Sequence, residues 1–149
     1  MTERGNTERV VVGVDGSPAS AAAMAWAARY ARAVGAAVRV VLAWHYPASA
    51  GQAPVGVAPP SVTAEVEQSR NEILDKAIAA AFGEPPDVAV ERSIRHGHPA
   101  QVLIDESKDA DLLVVGNRGH GGFTGMMLGS VSTHCVTHAH CPVTVVRSD

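Results

Sequence analysis

At 149 residues, 46% hydrophobic and 18% charged, the chain has enough apolar material for one domain with a sizeable core and is not a disordered polymer. A net charge of -3 and a pI near 6.1 speak against nucleic acid as the partner, and no run nears the ~18 apolar residues of a membrane span. Two cysteines, Cys135 and Cys141, make no disulfide framework, and the polar start lacks the apolar stretch of a secretory signal, so a cytoplasmic protein is expected.

Residues Val10–Val14 form a Val-rich run without alternation, as in a strand buried on both faces of a parallel sheet. Asp15-Gly16 then turns the chain, and Ser17-Pro18 reads as N-cap and first residue of an alanine-rich helix that Gly35 stops. A second strand is expected over Ala37–Trp44. The uncharged Gly/Pro/Ala stretch over 47–61 reads as a flexible loop, and residues 1–8 as a flexible N-terminus. From Thr63 to Phe82 apolar residues recur at helical spacing, with Gly83 and Pro85-Pro86 as the stop. Val88, Val90 and Ile94 mark a third strand, Pro99 opens a short helix bearing Val102, Leu103 and Ile104, and Leu112–Val115 is a fourth, buried strand. Ser130–Ala139 makes the last helix and Val143–Val146 the last strand. Strands alternating with helices along the whole chain predict a single α/β domain over 1–149, a parallel sheet covered on both faces.

Between the fourth strand and the last helix, residues 116–130 carry six glycines: Gly116, Gly119, Gly121, Gly122, Gly125 and Gly129. Such a run costs backbone entropy. It is either a mobile loop or a phosphate cradle, in which glycines let backbone N–H groups approach an anion and the helix near Ser130 aims its positive end at it. GxxxxGK[ST] fails because no lysine follows any of these glycines, and GxGxxG fails at Thr124. A pyrophosphate-splitting SGGxDS loop fails as well, because the first strand leads only into Gly13-Val14-Asp15-Gly16-Ser17.

The spacing that fits is Gly116-x2-Gly119-x9-Gly129-Ser130. Together with the opening Val-Val-Gly-Val-Asp15-Gly-Ser, the helix start Gly129-Ser130-Val131-Ser132 and the ending His138-Ala139-x-Cys141-Pro142-Val143-x-Val145-Val146, it resembles the ATP-binding branch of the universal stress protein family over nearly the whole chain. The resemblance implies a Rossmann-like, doubly wound, five-stranded parallel sheet of order 3-2-1-4-5. Such sheets bind ligands at the carboxyl ends of their strands where the order reverses. It implies ATP as ligand, with magnesium a candidate companion, and at most slow hydrolysis. Gly116, Arg118, Gly119, Gly129, Ser130, Val131 and Ser132 match the family's ribose and phosphate contacts. Gly13, Val14 and Asp15 end the first strand, and Val115 the fourth, in the same crevice. Asp15 either contacts the nucleotide, or a metal and water beside it, or only caps its own turn. Ala43 and Trp44 match the adenine side, where the indole either stacks on the base or is simple core.

Other residues stay open. His120 is the one nearby general-base candidate, and an exposed loop histidine is its alternative. His134, Cys135, His138, His140 and Cys141 are metal-ligand types, but their spacing matches no ordinary zinc pattern and no metal is expected there. Met126-Met127-Leu128 reads as loop packing rather than a partner stripe. The reading is a cytoplasmic, ATP-responsive stress or signalling module rather than a metabolic enzyme. Its alternatives are a cyclic-AMP-binding member and a nucleotide-free interaction module. The apolar run Val143–Val146 at a sheet edge also predicts a homodimer.

Overall fold

A computed structural model describes residues 7–44, 60–118 and 128–148. The chain runs β1 (Arg9–Gly13), α1 (Pro18–Val34), β2 (Ala37–Trp44), α2 (Pro60–Phe82), β3 (Val90–His96), α3 (Pro99–Glu106) with a 3-10 turn at Ser107–Asp109, β4 (Leu112–Gly116), α4 (Ser130–His138) and β5 (Val143–Val146). All strand pairs are parallel and the order is β3-β2-β1-β4-β5. The chain therefore winds outward from β1 through β2 to β3, then crosses back to lay β4 on the other side of β1.

The side-chain alternation of the strands divides the core in two. Val10, Val12 and Val14 face α1 and α2, where they meet Ala23, Met24, Ala27, Leu74 and Phe82. Val11 faces the other way with Leu113 and Val115, against Val102 and Leu103 of α3 and Cys135 of α4. A strand buried on both faces needs apolar side chains on both, which is why β1 and β4 read as continuous runs.

Both ends of α1 follow from the sequence. Ser17 is the N-cap, accepting the Ser20 N–H at 3.2 Å, and Pro18 supplies a preset φ without wasting a donor. Gly35 adopts φ +75 and returns its N–H to Ala31 O at 2.8 Å. The buried face of α1 is mostly alanine (Ala19, Ala23, Ala27, Ala28, Ala31), so the helix lies close on the sheet. That closeness explains Gly116: a Cβ there would stand 2.7 Å from the carbonyl carbon and oxygen of Ala19.

Several expected boundaries move: β1 runs Arg9–Gly13, leaving Val14 past its end, and Val88 precedes β3, which begins at Val90. α2 begins at Pro60 rather than Thr63, because a proline at the first helical position extends the helix into what reads as loop. The rest of the expected 47–61 loop lies outside the described residues. Glu8, expected within a flexible N-terminus, joins the fold: its carbonyl accepts the Ala37 N–H at 2.9 Å and its carboxylate accepts the Tyr30 hydroxyl at 2.6 Å.

The end of α3 is pinned to the sheet by charge. Glu106 is buried and accepts from Arg39 at 2.7 Å and Arg95 at 3.2 Å, on β2 and β3. A buried carboxylate persists only when it is paired in this way. The hydrogen bond to Glu106 is the main reason that the Arg39 guanidinium is held above its ordinary pKa.

Candidate functional site

Because β1 pairs with β4 through Val12 and Val114, Gly13–Asp15 and Val115–Arg118 leave the sheet side by side, where the strand order reverses. The site is built from the turn after β1, the segment after β4 and the first turn of α4.

The turn after β1 is internally bonded. Asp15 Oδ1 accepts the Ser17 N–H at 2.8 Å, and the Asp15 N–H donates to Ser20 Oγ at 3.4 Å. Gly16 takes φ +83, which a side chain would strain. Asp15 is nonetheless exposed, so its carboxylate stands at the surface of the crevice while holding the turn. Gly13 faces α3, where a Cβ would come within 2.8 Å of Leu103 Cδ1. Val14 points into the α1–α2 core and its N–H donates to Val41 O at 2.9 Å. Gly16 and Ser17 also border an apolar hollow of about 340 Å³ between α1 and α2, reaching Met24 and Ile73.

The segment after β4 is organised by a residue that the glycine spacing conceals. Asn117 is buried, and its N–H donates to Val146 O at 2.8 Å. Its carbonyl accepts the Gly129 N–H at 2.6 Å and the Ser132 hydroxyl at 3.2 Å, while its Oδ1 accepts the Ser148 N–H at 3.4 Å. One asparagine thus ties the end of β4, the end of β5 and the start of α4 together. It lies within the motif, between Gly116 and Arg118; a polar residue directly after a buried strand was the only signal available for it.

The first turn of α4 has no side-chain cap. Gly129 is the N-cap, with extended φ −78 and ψ 172, and its carbonyl accepts the Thr133 N–H at 3.0 Å. Ser130 is exposed and Val131 half-buried. Ser132 differs from its expected role. Its hydroxyl is buried and turned inward, donating towards Asn117 O at 3.2 Å and Gly129 O at 3.0 Å, so it braces the loop and does not reach out to an anion. Arg118 is half-buried and has no ion-pair partner among the described residues. Gly119, His120, Met126 and Met127 lie outside the described residues.

Ala43 and Trp44 end β2 on opposite faces, Ala43 towards the α3–α4 side and Trp44 packed partly against the α1–α2 core. The indole meets His96 edge-on, with ring centroids 4.6 Å apart, and the Trp44 carbonyl accepts the Gly97 N–H at 2.7 Å. Val115 is buried in the α3–α4 core, so only its backbone faces the crevice.

The family model for universal stress proteins matches residues 6–147. The chain belongs to the universal stress protein family. A universal stress protein of Mycolicibacterium smegmatis is 39% identical over 140 residues, covering 93% of this chain and 45% of that protein. The chain spans about half the length of the curated relatives it matches. Among solved structures, a universal stress protein in complex with cAMP is 28% identical, with TM-score 0.65, covering 96% of this chain and 98% of that one. The family member from Archaeoglobus fulgidus solved in complex with dAMP shares the fold, with TM-score 0.65 at 21% identity, covering 93% and 97%. The fold is therefore the universal stress protein fold. Among the described residues, no helix is long and apolar enough to cross a membrane.

Proposed function

We propose that the chain binds an adenine nucleotide, ATP foremost, at the crevice between β1 and β4 and serves as a cytoplasmic, nucleotide-responsive stress or signalling module. The observation that carries this reading is the start of α4. A helix N-terminus gathers about half a positive charge and several unpaired N–H groups. Here the N-cap is a glycine with no side chain to satisfy them, held in place by Asn117. An anion is the complement of such an end. The amides of Ser130 and Val131, with the exposed Ser130 hydroxyl, take the phosphates, and Arg118 adds positive charge beside them. Asp15 faces the ribose or a magnesium ion, and Ala43 and Trp44 form the adenine side. Magnesium, when bound with the nucleotide, supplies charge neutralisation at the phosphates.

Cyclic AMP is the second reading, favoured by the ligand of the solved relative at 28% identity. ATP titrated into the purified protein should bind, with cyclic AMP competing at the same site. Mass spectrometry of small molecules released on denaturation should show an adenine nucleotide. Folded protein with no affinity for either nucleotide would overturn the proposal.

The active form is proposed to be a homodimer through β5. This strand lies at the sheet edge and carries only Val143, Thr144, Val145 and Val146, all half-buried. The opposite edge, β3, carries Glu91, Arg92 and Arg95, charges that discourage edge pairing. Light scattering at micromolar concentration should give a dimer mass, and Val145→Lys should shift it to monomer.

A further inference from the structure

The groove between α3 and α4 gathers four histidines from two helices. His98 is the N-cap of α3, His134 and His138 lie on α4, and His140 follows that helix. With Gln101 and Ile104 they line an open hollow of about 600 Å³. His140 is positioned by its N–H, which donates to the buried Ser107 Oγ at 2.9 Å.

The pair on α4 sets the chemistry. Residues four apart share one helix face, and the two exposed rings have centroids 6.3 Å apart. His134 Nδ1 lies 2.8 Å from the Ser130 carbonyl oxygen. A carbonyl oxygen only accepts, so Nδ1 carries the proton and, in the neutral ring, the lone pair is left on Nε2. A backbone carbonyl holding one ring nitrogen is how metal-binding histidines are oriented and their tautomer set. Two histidines four apart on one helix face is also the spacing by which zinc helices grip their ion.

Against the expectation from the sequence, we propose that His134 and His138 chelate a divalent transition-metal ion of the zinc, nickel or copper class, the ions that imidazole suits. Metal–nitrogen bonds of ~2.0–2.1 Å require the rings to swing somewhat closer than they stand. Both side chains are exposed, so the swing disturbs no core contact. No three His, Cys, Asp or Glu side chains among the described residues already form a metal cage. The site is therefore a two-histidine anchor on the groove wall, its other positions filled by water. It borders the proposed nucleotide site at Ser130, whose carbonyl holds His134, and is tested without nucleotide.

Tag-free protein titrated with nickel chloride in a calorimeter should take up one equivalent, and zinc should shift the ring NMR signals of His134 and His138. The His134→Gln/His138→Gln variant should lose at least ~10-fold in nickel affinity, the low end of what even an outer-shell change costs a metal site. Its circular dichroism should be unchanged, and His134→Gln alone should show the loss should the double variant fold poorly. Cys141→Ser should bind nickel as the parent does. Absence of saturable uptake, undiminished binding by the histidine variants, or a loss on Cys141→Ser would each overturn the proposal.

Discussion

Two helices begin at the carboxyl end of the sheet, α1 after β1 and α4 after β4, and they are finished differently. At α1, Ser17 caps the helix and Asp15 accepts the Ser17 N–H, so the turn satisfies its own donors. At α4, the N-cap is Gly129, which has nothing to offer, and the bracing comes from behind, through Asn117 and Ser132. A capped helix end is spent on stability. An uncapped one that is held rigidly keeps its first amides open. In the proposed function this difference gives the phosphate role to α4 and the supporting role to α1.

The largest expected effect tests how the two helices share the sheet. Gly116→Val would drive a side chain into the α1 backbone at Ala19, which has no rotamer to yield. A loss of ~3 kcal/mol or more in urea unfolding is expected, at the upper end for overpacking. Gly13→Ala meets only the end of the Leu103 side chain and should cost ~1 kcal/mol. Similar costs for both would mean that α1 does not sit as close to β4 as the geometry requires.

Giving α4 the finish of α1 is the next test. Gly129→Asp supplies a capping carboxylate at an already extended N-cap. Stability should rise by ~0.5 kcal/mol through the helix dipole. ATP affinity should fall at least ~10-fold, about 1.4 kcal/mol, because the carboxylate occupies the anion's place. Unchanged ATP binding in isothermal titration would move the phosphate site away from α4.

Bracing and contact separate at two serines. Ser132→Ala removes a buried hydroxyl from two carbonyl acceptors and should cost ~1 kcal/mol of stability. Ser130→Ala, at an exposed position, should leave the unfolding midpoint where it is and weaken ATP binding. The reverse pattern would exchange their roles.

A last effect is absent at neutral pH and appears only at alkaline pH. Cys135, on the buried side of α4, has its thiol pushed up by burial from 9.0 to about 11. Below 9.0 the thiol is protonated folded or unfolded; between 9.0 and about 11 the unfolded chain ionises first. Stability should therefore fall as pH rises through that window, and Cys135→Ala should flatten the fall.

Much of this was legible along the chain. The continuous valine runs of β1 and β4, the Ser17-Pro18 start and Gly35 stop of α1, and the limits of β2 and β5 are local signals; β2 and β5 stand where they are expected, and β1 and β4 within a residue of it. The start of α2 was missed because a proline-rich, uncharged stretch reads as loop even when its last proline opens a helix. At the site, the spacing drew attention to the glycines and serines but could not say which way each pointed. Gly116 fits the motif, yet its missing side chain is required by the α1 backbone. Ser132 fits it too, yet its hydroxyl faces inward.

The sequence by itself determined the alternation of strands and helices and the family, because these rest on periodicity, caps and spacing along one chain. The tertiary structure alone decided that Asn117 joins three elements, that the Ser132 hydroxyl turns inward, and that His98 shares a groove with His134 and His138. Each of these depends on residues far apart in sequence becoming neighbours, and that proximity is set by how helices pack on the sheet.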